Sequence, residues 1–122
     1  MRIAAPTAVA VALLAGCAVG VAPGQPKDVR GKGLTAHELH EECFAMASGD
    51  ELRWRFSADA PLDFGVYYRD GKVVVMPVTR ERVTVGEGRF VALSAHDYCA
   101  SWESGAQALT LNYSLELGRP RR

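Results

Sequence analysis

Residues 109–117 read "LTLNYSLEL", with Leu109, Leu111, Tyr113, Leu115 and Leu117 alternating with Thr110, Asn112, Ser114 and Glu116. Strict alternation over this length is the signature of a strand with one buried and one solvated face. The stretch "LRWRF" repeats it, setting Leu52, Trp54 and Phe56 against Arg53 and Arg55. Further strands are expected at "EECFAMA" (41–47), "VVVMPV" (73–78), "RVTV" (82–85), "RFVAL" (89–93) and "DYCASW" (97–102). No segment carries a sustained helical stripe. Short strands with glycine-rich punctuation predict an all-β domain, a small antiparallel β-sandwich.

Within "VYYRDGKVVV" (66–75), Asp70-Gly71 lies between two β-branched runs. Asp-Gly suits a two-residue type I′ turn, where both residues need positive φ. That turn pairs Tyr68 with Val73 and Tyr67 with Val74. Phe64, Val66, Tyr68, Val73 and Val75 then face the core, because cross-strand partners share a face. Tyr67, Val74 and Met76 fall together on the other side. An outward apolar cluster where polar residues are expected is a candidate binding face.

The chain opens on Arg2 followed by an uncharged run rich in Ala, Val and Leu, ending in "LLAGC" at residues 13–17. A basic start, a short apolar core and a small-residue exit form the layout of a secretory signal. The run is too short to span a bilayer uncleaved, which takes about 20 apolar residues. Leu13-Leu14-Ala15-Gly16-Cys17 resembles the lipobox of bacterial lipoproteins. The resemblance implies cleavage before Cys17, lipidation of its sulfur and an anchor of two or more acyl chains, the number that stable membrane attachment needs. Ala18, in place of an aspartate retention signal, points to the periplasmic face of the outer membrane if the cell is Gram-negative. Residues 1–16 are thus expected to be a signal peptide. Residues 17–35, rich in proline and glycine, are expected to be a flexible tether. A β-sandwich spans 36–118, and a basic tail 119–122 carries Arg119, Arg121 and Arg122.

A domain of under 100 residues buries a modest core and benefits from a staple. With Cys17 lipidated in an oxidising compartment, Cys43 and Cys99 can form one disulfide. Free thiols, or a zinc site shared with nearby histidines, are the alternatives. The order "EECF", "GDELRWRF", "LDFGVYY", "DYCASWES", "LTLNYSLEL" also resembles the GOLD (Golgi dynamics) β-sandwich of cargo-receptor and lipid-transfer proteins. Two departures are Glu103-Ser104 in place of an Asp-Asn pair, and Cys99 where the family's cysteine falls at Ser101. The resemblance implies a domain that binds proteins or lipids without catalysis or cofactors.

Lys plus Arg and Asp plus Glu both number 14, and no basic face interleaves with aromatics, which argues against nucleic acid as a partner. "AHELHEEC" (36–43) places His37 and His40 three apart, not the four of a zinc protease helix, and reads as a solvated entry to a strand. His96-Asp97 has no nucleophile beside it. The expected function is therefore a non-catalytic envelope lipoprotein that binds a protein or lipid partner. A small periplasmic inhibitor, for instance of lysozyme, is the first alternative. A metal-binding protein using Met46, Met76 and the histidines is the second.

Overall fold

A computed structural model describes residues 20–119, and these form six antiparallel strands with no helix. The strands are β1 (Lys27–Leu34), β2 (Leu39–Met46), β3 (Glu51–Asp70), β4 (Val73–Val91), β5 (His96–Ser104) and β6 (Leu109–Gly118). The strand order is β1-β6-β3-β5-β2, with β4 along the other side of β3. Glu51–Ala58 of β3 pairs with β6, and Leu62–Tyr68 pairs with β5. One strand thus belongs to two layers, β1-β6-β3 and β2-β5-β3, and the sheet curls so that their inner faces meet.

The inner faces are built by the alternation read in the sequence. Leu52, Trp54, Phe56, Phe64, Val66, Tyr98, Ala100 and Trp102 are buried, as are Leu109, Leu111, Tyr113, Leu115 and Leu117. Contact between the layers is aromatic. Trp102 of β5 stacks on Tyr113 of β6 with centroids 4.2 Å apart, and Phe64 meets Phe56 at 4.9 Å and Trp54 at 5.3 Å across the bend of β3.

The bend is "SADAPLD" (57–63), where the β3–β4 register shifts. Two carboxylates replace the ladder partners lost there. Asp59 Oδ1 accepts the Thr110 N–H of β6 at 2.8 Å, and Asp63 Oδ1 accepts the Arg82 N–H of β4 at 2.8 Å. Arg82 has φ 55°, marking the matching bulge in β4. Pro61 sits where no donor is required.

Several expectations are corrected here. "LRWRF" and "LDFGVYY" belong to one 20-residue strand, and "VVVMPV", "RVTV" and the first three residues of "RFVAL" to one of 19 that ends at Val91. Residues 27–34, expected in the tether, form β1 and pair with β6, so the sandwich begins at Lys27 instead of residue 36. The hairpin turn is Gly71-Lys72, since Asp70 pairs with Val73. Only Gly71 has positive φ, 65°, as a type II′ turn requires at its first central position. Tyr68 therefore pairs with Val75, a shift of two, but a bulge follows and Val66 pairs with Val78 instead of Val75. Val73, expected in the core, is 61% exposed beside the turn, and Val78 is buried in its stead. Residues 1–16, Cys17 and the tail beyond Arg119 lie outside the described residues.

Gly86 and Gly88 of β4 stand opposite Phe56 and Trp54. A Cβ at Gly86 would lie 2.6 Å from the Phe56 ring, and one at Gly88 2.7 Å from the Trp54 ring. The bare backbone lets both rings lie across the edge strand. Gly86→Ala is expected to destabilise the fold by about 1–3 kcal/mol through overpacking, read by urea unfolding. An unchanged midpoint would show that the Phe56 ring can move aside.

Candidate binding face and the polar seam

The outer face of the second layer is built from the residues that alternate with the core. Tyr67 pairs with Cys99 and Gly65 with Ser101, while Cys99 in turn pairs with Cys43 and Ser101 with Glu41. The Cys43–Cys99 disulfide is present and crosses between neighbouring strands at directly opposed positions, with Cα atoms 4.0 Å apart. It lies on the exposed side, so it pins the edge strand β2 to β5 without occupying core volume.

On this face Val74 pairs with Arg69, two residues from Tyr67, and Met76 packs over Gly65. Val74 is 46% exposed and Met76 47%, and Tyr67 is half-buried. The Met76 methyl lies over Gly65, where a Cβ would be 2.8 Å from it. Arg69 lies over the Tyr67 ring at 5.7 Å, and the Tyr67 hydroxyl donates to Glu41. That hydrogen bond to a carboxylate, with burial second, raises the Tyr67 pKa and keeps the phenol protonated. A groove of about 690 Å³ borders the cluster, lined by the disulfide, Tyr67, Arg69, His96 and Asp97. Outward residues of the first layer are polar by contrast: Arg53, Arg55, Ser57, Asn112, Ser114 and Glu116.

A second polar cluster was not foreseen in the sequence. His40 and Glu42, expected in a solvated strand entry, lie half-buried on the inner side of β2. The Tyr113 hydroxyl of β6 donates to Glu42, and Lys27 of β1 forms an ion pair with the same carboxylate. His40 Nε2 lies 2.9 Å from the Tyr113 oxygen and 3.8 Å from Glu42. With the phenol proton given to Glu42, the Nε2–H of neutral His40 is the donor. The group closes a seam where the outer strands β1 and β2 of the two layers approach. Its signal in the sequence was weak: His40 and Glu42 share a face with Phe44 and Met46, but only the position of Tyr113 shows what they meet.

The remaining candidates are dispersed. His37 occupies an exposed turn with φ 56°, and His96 stacks on Tyr68 at 4.0 Å. Met46 is core while Met76 faces outward, so the two methionines of the metal-binding alternative lie on opposite sides of the layer. No group of three or more potential metal ligands occurs among the described residues. Trp54 and Trp102 are core aromatics.

No protein-family model and no curated protein matches this chain. Among solved structures, it is similar to Aeromonas hydrophila PliG, a periplasmic lysozyme inhibitor of g-type lysozyme. The two align with a TM-score of 0.56 at 10% identity, over 80% of this chain and 96% of that one. The likeness establishes a shared β-rich fold.

Burial, opposed in part by Glu42, lowers the His40 pKa below its ordinary 6.5. The unfolded chain therefore binds a proton at His40 more readily than the native state. This contribution to stability is complete above about pH 6.5 and is lost as pH falls below it. His40→Gln is expected to flatten the loss of stability between about pH 6.5 and 5, followed by urea midpoints. An identical slope in both proteins would overturn the assignment. Glu42→Ala, which strands the Lys27 ammonium and the Tyr113 hydroxyl, should cost about 1–3 kcal/mol at pH 7.

Proposed function

We propose that this protein is a non-catalytic binding domain of the bacterial cell envelope, held at the membrane by a lipid on Cys17, and that its partner is a protein. The observation that carries the reading is the pair of half-exposed apolar side chains, Val74 and Met76, beside Tyr67 on an outer face. Tyrosine and methionine are enriched where proteins meet. The mixed character of the patch favours a protein over a lipid surface. Arg69 and Glu41 flank it with opposite charges, suited to a polar rim around an apolar centre.

A more specific reading, inhibition of a lysozyme, is favoured by the fold shared with PliG across nearly all of that chain. Fold alone does not transfer an activity, because sites are grafted onto folds. It does make lysozymes the first partners to test.

The experiment is a turnover assay of goose-type and chicken-type lysozymes on bacterial cell walls with the purified protein added. Stoichiometric loss of turnover supports inhibition. Full activity of both enzymes at saturating protein would remove lysozyme inhibition and leave the broader reading to partner capture from the envelope.

Tyr67→Ser with Met76→Ser is expected to weaken capture at least about tenfold while leaving the melting temperature nearly unchanged. A collapse in stability instead would identify the cluster as structural. Cys17→Ala should move the protein from the membrane to the soluble fraction; unchanged fractionation would refute the anchor.

A further inference from the structure

The outer side of β4 has no paired strand among the described residues. An edge this long, with Val85 65% and Val91 48% exposed, is a template for another strand. The direction of its hydrogen-bonding groups follows from Ala92, whose N–H donates to Asp50 O and whose carbonyl accepts from Gly49 N. In an antiparallel ladder, inward and outward bonding alternate by residue. Phe90, Gly88 and Gly86 therefore bond toward β3, while Val85, Glu87, Arg89 and Val91 aim their N–H and C=O groups at the open side. Arg82, with its left-handed φ, bounds the regular edge at one end, and the loop after Val91 bounds it at the other.

Within that window the sequence is "VGEGRFV" (85–91). Placed antiparallel to a copy of itself about Gly88, Val85 meets Val91 of the copy and Glu87 meets Arg89. The twofold axis repeats both pairs. All four outward pairs are complementary: two valine pairs and two ion pairs. Every residue whose backbone points outward is also in a hydrogen-bonded position. On the inner side, Gly86 and Gly88 carry no side chain, so Phe90 of each copy meets a bare Gly86.

Charge within one chain leaves room for this partner. Arg89 and Arg53 both bond to Glu51, at 3.1 and 3.2 Å, so one carboxylate serves two guanidiniums. Glu87 forms no ion pair among the described residues. The copy would bring Glu87 to Arg89 and even the balance.

We infer that this protein forms a twofold homodimer by antiparallel pairing of β4 with β4 about Gly88, joining the two sheets into one. The contact is isologous and closes on itself, so it caps the edge instead of propagating. It lies apart from the Tyr67 face and does not depend on the proposed partner.

The test is sedimentation velocity of the purified protein over a roughly hundredfold concentration range, with charge reversals at the junction. Wild type should show a monomer–dimer equilibrium. Glu87→Arg sets arginine against arginine, and Arg89→Glu sets glutamate against glutamate; each alone should weaken the dimer by about tenfold or more. Mixing the two variants restores both ion pairs, so the mixture should dimerise as wild type does. Rescue on mixing is something that a folding defect in either variant cannot produce. Tyr67→Ser with Met76→Ser should still dimerise. A wild-type protein monomeric throughout, single variants that dimerise normally, or a mixture that stays monomeric would each overturn the inference.

Discussion

Everything in this fold depends on β3 serving two layers. A strand paired with β6 over its first half and β5 over its second must bend between them. The bend interrupts the ladder at its solvent-facing side, leaving backbone donors of β4 and β6 without a strand partner. Asp59 and Asp63 take up those donors with their side chains, each accepting an N–H from a neighbouring strand. Because the two halves turn toward each other, Trp54 and Phe56 of one meet Phe64 of the other. The core is in large part the inside of this bend.

That dependence explains which parts of the fold were legible in the sequence. Alternation in "LTLNYSLEL" and "LRWRF" is a local property, and both segments put the expected residues in the core. Near the hairpin the turn was misplaced by one residue and the register moved by two, so Val74 still lies opposite Arg69 on the outer face, while Val73, expected inside, is exposed. Continuity was not legible. The segments on either side of Pro61, and of Gly86 and Gly88, read as separate strands, yet β3 and β4 run through them. At Gly86 and Gly88 the missing side chain makes room for the Phe56 and Trp54 rings. The strand in residues 27–34 was hidden for the same reason, since Gly31 adopts a φ of 71° at an irregularity in its pairing with β6. Glycine and proline mark special backbone positions, and only the partner strand decides whether such a position ends an element or bends it.

The edges of the curled sheet are handled differently. At β1 and β2, polar side chains span the gap: Lys27, Glu42, Tyr113 and His40 form one hydrogen-bonded group against the stacked rings of Trp102 and Tyr113. A half-buried ion pair contributes little net attraction once desolvation is counted. Its effect lies in the penalty for separating its members, which makes the seam specific. The β4 edge has no such closure among the described residues, and its exposed valines leave it the adhesive side of the molecule.

Strand β2 ties the seam to the candidate face through its alternation. Glu41 points outward to accept the Tyr67 hydroxyl, and Glu42, the next residue, points inward to accept that of Tyr113. Both contacts therefore require β2 to hold its register on β5. As an edge strand it has one paired neighbour, and Cys43–Cys99 fixes that pairing one residue beyond Glu42. A cross-link over a sequence separation of 56 residues stabilises a fold by about 4 kcal/mol on the chain-entropy account. Here its placement matters as much as that magnitude. A slip of β2 by one residue would turn Glu41 toward the core and Glu42 toward solvent, undoing face and seam together, and the disulfide forbids that slip.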